Sequence, residues 1–215
     1  MTKKTADMID LLAGDLTPVQ PRMALWKTFL PIFAFMLFMM AGWVLLENLR
    51  PWTATTMDEI QFYLILLLAT VGLAGVGTVL LSTPDTRYMR PAFALLALAV
   101  LGWLAVSCEC LLNTTWGHLL ETAHHLVYDG SCWATIMAAS AVLAVPLYLF
   151  LKRLAPLNPN MVAVGTILTS TAAASTGRLL ICPTSEPAHL LLAHFLPILL
   201  MVILSLPILP RLLRW

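Results

Sequence analysis

Long apolar runs recur along this chain and constrain its fold more than any other feature. They lie near residues 25–46, 60–81, 91–108, 133–151, 161–181 and 188–209. A helix needs about 20 apolar residues to cross a bilayer, so each run predicts one membrane-spanning helix. Hydrophobic residues make up 60% of the sequence and charged residues 11%, whereas a soluble domain carries roughly 25% charged residues. The sequence therefore predicts an all-α polytopic protein, with a six-helix transmembrane bundle in residues 23–215.

The basic residues predict how this bundle is oriented. Six spans place both chain termini on the same side of the membrane. If that side is the cytoplasm, it holds most of the 12 lysines and arginines, namely Lys3, Lys4, Arg22, Lys27, Arg87, Arg90, Lys152, Arg153, Arg211 and Arg214. Only Arg50 and Arg178 then lie toward the outside, which follows the excess of basic residues in cytoplasmic loops. We therefore predict cytoplasmic termini and outer loops near 47–59, 109–132 and 182–187.

Residues 1–22 form a polar segment ahead of the first span. Within it, Met8, Leu11, Leu12 and Leu16 recur at helical spacing and predict a short amphipathic helix. A helix of this length is marginal alone, and its apolar face would gain order by docking onto a partner. The simpler alternative is a frayed tail before the first span.

All 4 cysteines and all 5 histidines fall at or near the outer face in this orientation. Thiols and imidazoles are the ligands that copper, zinc and other soft or borderline metal ions prefer. Their concentration in the oxidising, metal-exposed compartment predicts a membrane sensor rather than an enzyme. The sequence also lacks the GxSxG, HExxH, Walker A and GxGxxG motifs of hydrolases and nucleotide-binding enzymes.

Cys132 and Cys182 flank a predicted hairpin formed by the fourth and fifth spans. The two thiols could form a disulfide if their α-carbons lie within about 7 Å, or they could share a soft metal ion. Arg178 lies one helical turn before Cys182, where a guanidinium would favour the reactive thiolate. The same arginine could instead extend to lipid headgroups. The sequence leaves these alternatives open.

The second outer loop offers further metal ligands. Cys108 and Cys110 would point the same way on an extended backbone, but they diverge on a regular helix. A short helix after them would carry His118, Glu121 and His125 on one face. The complete set of predicted metal ligands is Cys108, Cys110, Cys132, Cys182, His118, Glu121, His124, His125 and His189. An interfacial amphipathic helix would explain the histidine stripe equally well, since no spacing matches a known zinc motif.

The order of these features resembles the NrsF family of membrane anti-sigma factors. The similarity rests on MIDLLAGDLTPVQP at 8–21, the Cys132 segment before a proline-containing span, ICP at 181–183 and PRLLRW at 210–215. It implies that Cys132 and Cys182 sense metal or oxidative stress. It also implies that residues 1–22 hold an extracytoplasmic-function sigma factor inactive, through Met8, Ile9, Leu11, Leu12, Asp15 and Leu16. Cys108, Cys110 and the histidine-rich loop are additions to the family pattern.

The resemblance also implies a location and partners. The protein would lie in the bacterial inner membrane, bind the sigma factor and the lipid bilayer, and not bind nucleic acid directly. It would need no obligatory cofactor, with copper, zinc or another soft metal ion as its signal ligand. Two other classes are alternatives: a small metal transport or metal-buffering membrane protein, and a DsbB-like thiol oxidase. The first would need ligands within the spans, and the second a CxxC motif, which this sequence lacks.

Overall fold

A computed structural model shows a helical protein. It describes residues 54–83, 86–129, 131–154, 156, 158–182 and 184–213, together with single helical positions between Leu30 and Leu45. The predicted sigma-binding tail, residues 1–22, and most of the first predicted span, 25–46, lie outside the described residues. No strand occurs in the part of the chain that the structure describes, so the all-α prediction is confirmed there.

Seven helices follow one another in this part of the chain. They are α1 (Ala54–Ser82), α2 (Met89–Leu112, after a 3-10 turn at Thr86–Tyr88), α3 (Trp116–Asp129), α4 (Ser131–Lys152), α5 (Pro159–Ile181), α6 and α7 (Leu209–Leu213). Helix α6 consists of Pro187–His189, a π-helical segment Leu190–Phe195, and Leu196–Ser205. Four segments are long and apolar enough to cross a membrane: Ile60–Ser82, Thr86–Leu112, Cys132–Lys152 and Pro187–Ser205. They indicate a membrane protein, while the number of six spans stays a prediction.

The apolar helices turn large hydrophobic side chains outward. Ile65 of α1, Leu101 of α2 and Val145 of α4 are 57%, 60% and 56% exposed. A water-soluble protein rarely exposes large contiguous apolar patches. Side chains of this kind along the outside of helices of spanning length are suited to the hydrocarbon of a bilayer.

Helix α5 lies in the middle of the bundle, in contact with α1, α4, α6 and α7. Most of its side chains are buried, including many hydroxyls. These hydroxyls largely bond within their own helix, as Thr166 Oγ1 does by donating to the Val162 carbonyl at 2.6 Å. Because other helices surround α5, it does not need a surface suited to lipid. Its serines and threonines therefore explain why α5 is absent from the four strongly apolar segments.

Small residues on α5 permit a close approach to its neighbours. Gly165, Thr169, Ala173 and Gly177 recur at every fourth position, and this stripe is buried throughout. A Cβ added at Gly165 would collide with Thr78 Oγ1 of α1 and would lie 3.2 Å from Leu96 Cδ2 of α2. Thr78 is itself held by a hydrogen bond from its hydroxyl to the Ala74 carbonyl, at 2.6 Å. Three helices therefore meet at Gly165, where the lack of a side chain permits their close approach.

The helix directions separate the described basic residues other than Arg178 from the cysteine pair. The α1–α2 and α4–α5 connections lie at one end of the bundle, with Arg87, Arg90, Lys152 and Arg153. Helix α7 joins this end, since the Tyr148 hydroxyl of α4 donates to the Leu212 carbonyl at 3.1 Å. The start of α4, the end of α5 and the start of α6 lie at the other end, with Cys132 and Cys182. The same separation follows from the charge pattern of the sequence.

Several predicted boundaries differ from the structure. The predicted outer loop 109–132 is largely helical, because α2 continues to Leu112 and α3 occupies Trp116–Asp129. Hydropathy marks where a span leaves the apolar layer, but a helix can continue beyond that point. The last predicted span, 188–209, ends at Ser205 and contains the π-helical segment. Pro197 explains this segment, because a proline ring clashes with the carbonyl four residues earlier and a wider turn relieves the clash.

The packing at Gly165 leads to a prediction with a matched control. We expect Gly165→Ala to lower the melting temperature in detergent, since overpacking costs about 1–3 kcal/mol. Gly72→Ala, on α1, should leave the melting temperature unchanged or raise it, because its methyl group meets nothing within 4 Å. Circular dichroism during heating measures both. Equal melting temperatures for Gly165→Ala and the unchanged protein would contradict the tight packing of α5.

Candidate functional site

Four side chains meet at the end of the bundle opposite Arg87, Arg90, Lys152 and Arg153. Cys132 belongs to α4, Cys182 directly follows α5, and His189 and His194 belong to α6. One ligand atom of each, two sulfurs and two ring nitrogens, all lie within 4.8 Å of one another. We call these residues the four-residue cluster. Among the described residues, no other group of three or more His, Cys, Asp and Glu side chains converges in this way.

The α4–α5 hairpin brings the two cysteines together across 50 residues of sequence. Cys182 ends α5, where its N–H donates to the Arg178 carbonyl at 2.9 Å. The Sγ atoms of Cys132 and Cys182 are 3.9 Å apart, and neither cysteine is in a disulfide. A disulfide bond is about 2.05 Å long, so the thiols lie side by side without a covalent bond. Both side chains are buried, at 7% and 0% exposure.

Arg178 gives the thiol pair an asymmetric charge. Its Nε donates to Cys132 Sγ at 3.4 Å, which favours the thiolate form of that cysteine. The hydrogen bond to Cys132, followed by burial, raises the pKa of the Cys182 thiol. Cys182 Sγ also donates to the Thr184 carbonyl at 3.6 Å. Arg178 therefore favours negative charge at Cys132, while Cys182 favours keeping its proton.

The two histidines differ in their surroundings. Nε2 of His189 lies 3.3 Å from Cys182 Sγ. His194 is completely buried, and neither of its ring nitrogens has a hydrogen-bond partner. The centroids of the two rings are 5.7 Å apart. Buried polar groups are almost always paired, and leaving one unpaired costs about 1–3 kcal/mol. The His194 ring is therefore an unsatisfied polar group that faces two sulfurs and a second imidazole.

Helix α3 covers this cluster. Leu126 packs against the small buried group formed by Cys132, Cys182 and Ala193. The indole Nε1 of Trp133 donates to the Leu126 carbonyl at 3.3 Å, which ties the end of α3 to the start of α4. On the other side, His118 Nε2 of α3 contacts Glu186 Oε1, just before α6. These contacts hold α3 against the buried thiols.

The remaining predicted metal ligands lie outside the four-residue cluster. Cys108 and Cys110 sit on regular helix α2 and diverge, one exposed and the other buried. The predicted helix with His118, Glu121, His124 and His125 is α3 itself. On it, His118 Nδ1 lies 3.7 Å from Glu121 Oε2, and the rings of His124 and His125 contact each other. The predicted sigma-binding side chains, Met8, Ile9, Leu11, Leu12, Asp15 and Leu16, fall outside the described residues.

His194 is the one member of the cluster that the predicted ligand set omits. It lies inside the last apolar run, and on a regular α-helix it would point about 140° away from His189. In the π-helical segment each residue turns less about the helix axis, which removes most of the angular separation between His189 and His194. The only trace of this in the sequence is Pro197, three residues after His194, which disfavours regular helix at this point.

This arrangement permits two kinds of chemistry. The sulfurs and imidazoles could bind a soft or borderline cation. Alternatively, an oxidant could remove two electrons from the thiol pair, with loss of the Cys182 proton, and join the sulfurs after they approach by about 2 Å. Both reactions use the same two sulfur atoms, so each excludes the other.

A comparison with protein families identifies the chain. A family model described as NrsF, negative regulator of sigma F, matches residues 12–215, which is nearly the whole sequence. No curated protein and no solved structure matches the chain. The family match covers the hairpin that carries the cysteines as well as every described helix. The chain therefore belongs to the NrsF family of negative regulators of a sigma factor.

Proposed function

We propose that this protein is an anti-sigma factor of the bacterial inner membrane that responds to conditions outside the cell membrane. Residues 1–22 hold an extracytoplasmic-function sigma factor inactive on the cytoplasmic side. Metal binding or oxidation at Cys132 and Cys182 releases it. The protein catalyses no reaction in this scheme. Membership of the NrsF family supports the regulation of a sigma factor, and the buried thiol pair carries the sensing role.

The thiol pair has the properties that a sensor needs. The sulfurs are 3.9 Å apart, close enough to bind one metal ion or to be joined after a small movement. Arg178 supplies the positive charge that keeps one sulfur reactive. The α3 residues above the pair restrict access, so only a small ion or oxidant reaches it. These features favour a reactive cysteine pair over a purely structural one.

Helix α5 supplies a physical connection between the two ends of the bundle. One end of α5 is followed by Cys182, and the other begins at Pro159, beside the basic connection with Lys152. Tight contacts at Gly165 prevent α5 from moving without its neighbours. A signal acts only if it binds two states of the protein with different affinity. We propose that these states differ in how α5 and α6 pack, and that the tail binds the sigma factor in one of them.

The position of the cluster also bears on the transport and buffering alternatives. A transport path would require ligands along the spans, whereas the four residues converge at one end of the bundle. A metal-buffering protein could use the same cluster, but it would have no need of a sigma factor. Binding of the sigma factor to the tail therefore decides between regulation and buffering.

We expect Leu12→Asp to weaken co-purification of the sigma factor with the full-length protein in mild detergent by about 10- to 100-fold. Burial of a leucine contributes about 1.5–3 kcal/mol, which corresponds to that range of affinity. Thr2→Asp introduces the same charge outside the predicted apolar face and should have little effect. Deletion of residues 1–22 should abolish binding. Full binding to the deleted protein would contradict the role of the tail.

We expect Cys132→Ser and Cys182→Ser to preserve repression and to abolish induction. Each removes one of the two sulfurs that a metal ion or an oxidant must engage, while leaving the tail unchanged. Expression of a sigma-dependent reporter, measured before and after exposure to metal or to a thiol oxidant, tests this. Allosteric coupling commonly changes affinity by about 5–150-fold, and the response should fall from that range to none. Cys108→Ser, an exposed thiol outside the cluster, is the matched control and should respond normally. Normal induction in both buried-cysteine variants would refute the sensing role.

A further inference from the structure

We propose that Cys132, Cys182, His189 and His194 form a closed, four-coordinate site for a divalent cation of the zinc class. The π-helical segment Leu190–Phe195 builds this site by bringing the two histidines to one side of α6. The inference rests on the proposed function, because it assigns the ligands and the chemical class of the signal. It adds His194 to the predicted ligands and leaves Cys108, Cys110 and the α3 histidines outside the site.

The spacing of the ligand atoms is suited to tetrahedral coordination. Zinc binds sulfur at about 2.3 Å and imidazole nitrogen at about 2.0–2.1 Å. At the tetrahedral angle, two such sulfurs lie about 3.8 Å apart, and a sulfur and a nitrogen lie about 3.6 Å apart. The observed separations are 3.9 Å between the sulfurs and 3.3 Å between Cys182 Sγ and His189 Nε2. No pair of ligand atoms is more than 4.8 Å apart, so a cation could be enclosed by movements of roughly 1 Å or less per residue.

His194 provides an independent reason to place a ligand here. Its ring is fully buried, and both of its nitrogens are without a hydrogen-bond partner. A histidine that only filled space in the bundle would be replaced by an apolar side chain at no cost, since the unpaired ring is unfavourable. One ring nitrogen belongs to the group of ligand atoms, together with both sulfurs. A cation in the cluster supplies the partner that this ring lacks.

The π-helical segment explains how two histidines five residues apart reach the same site. On an α-helix their side chains would be about 140° apart around the axis. In the π-helical segment, backbone hydrogen bonds span five residues, as the Leu196 N–H shows by donating to the Leu191 carbonyl. The rings of His189 and His194 therefore lie 5.7 Å apart. The Ser175 hydroxyl of α5 donates to the His194 carbonyl at 3.0 Å and fixes the segment against the central helix.

The donor set defines the class of cation. Two thiolates and two neutral imidazoles in a tetrahedral arrangement are typical of zinc, whereas magnesium and calcium require oxygen ligands in larger shells. Two thiolates also balance the charge of a divalent ion. Without the ion, Arg178 compensates the charge at Cys132. With four protein ligands the site has no open position, which is the arrangement of structural rather than catalytic zinc sites. The bound ion would therefore change how α4, α5 and α6 pack together.

Cobalt(II) is a suitable probe, because tetrahedral coordination by sulfur and nitrogen gives intense visible bands and a thiolate charge-transfer band. We expect one cobalt ion per full-length protein in detergent under reducing conditions, displaced by zinc. Loss of a group that only hydrogen-bonds to a metal ligand weakens metal binding by roughly 10–100-fold. Because His194→Leu removes a ligand itself, it should weaken cobalt binding by more than this. Without metal, the same variant should melt at the same or a higher temperature, because it removes an unpaired polar group. His125→Leu on α3 is the matched control and should bind cobalt normally.

The site would be overturned if His194→Leu bound cobalt as tightly as the unchanged protein does. A weak octahedral spectrum of cobalt in the unchanged protein would overturn it as well. If His194→Leu fails to fold, His189→Ala takes its place, because His189 is only partly buried.

In the reporter assay, His194→Leu should lose induction by zinc yet keep induction by a thiol oxidant, since oxidation needs only the sulfurs. Induction by zinc at the normal level would contradict the inference. Co-purification of the sigma factor with the unchanged protein tests the proposed function separately. If no sigma factor co-purifies, the proposed function fails, and the cobalt measurement still decides whether the metal site exists.

Discussion

The enclosure of α5 by its neighbours is the constraint on which the rest of the structure depends. This helix carries many hydroxyl groups, and it is accommodated because most of them bond within the helix and because α1, α4 and α6 surround it. Gly165 permits the closest of these contacts, against Thr78 and Leu96. Once α5 is fixed against α1 and α2, the position of Cys182 at its end is fixed as well. The hairpin with α4 then places Cys132 beside it.

The cluster combines groups that have different tasks. The two sulfurs lie side by side, and the Arg178 guanidinium donates a hydrogen bond to the sulfur of Cys132. The histidines come from a helix whose turn is widened ahead of Pro197, and the Ser175 hydroxyl anchors that turn to α5. The cluster therefore draws on three helices, and a ligand bound there contacts all of them. In the proposed function, this contact with three helices is the route by which binding at one end of the bundle would alter helix packing.

The hydropathy and charge patterns were sufficient to predict the helical fold and the separation of basic residues from the cysteine pair. The hairpin geometry also predicted that Cys132 and Cys182 would lie together, because one stands at the start of the first helix of the hairpin and the other at the end of the second. The contribution of His194 could not be predicted, since it depends on a change of helical turn that hydropathy does not encode. Likewise, whether Cys108 and Cys110 point together depended on whether the helix of α2 continued past them, and it continues to Leu112. Sequence patterns located the elements, whereas the side-chain directions required their packing.

The composition of α5 has a consequence for the biogenesis of the protein. With its buried serines and threonines and the partly buried Arg178, it is a poorer substrate for insertion into lipid than the segments that surround it. In the predicted six-span arrangement, the entry of α5 into the membrane would therefore depend on helices that are already there to receive it. A substitution that spoils the receiving surface on α1 would act during synthesis, by leaving α5 on the wrong side of the bilayer. In that arrangement the two cysteines would then lie on opposite sides of the bilayer, and the four-residue cluster could not form.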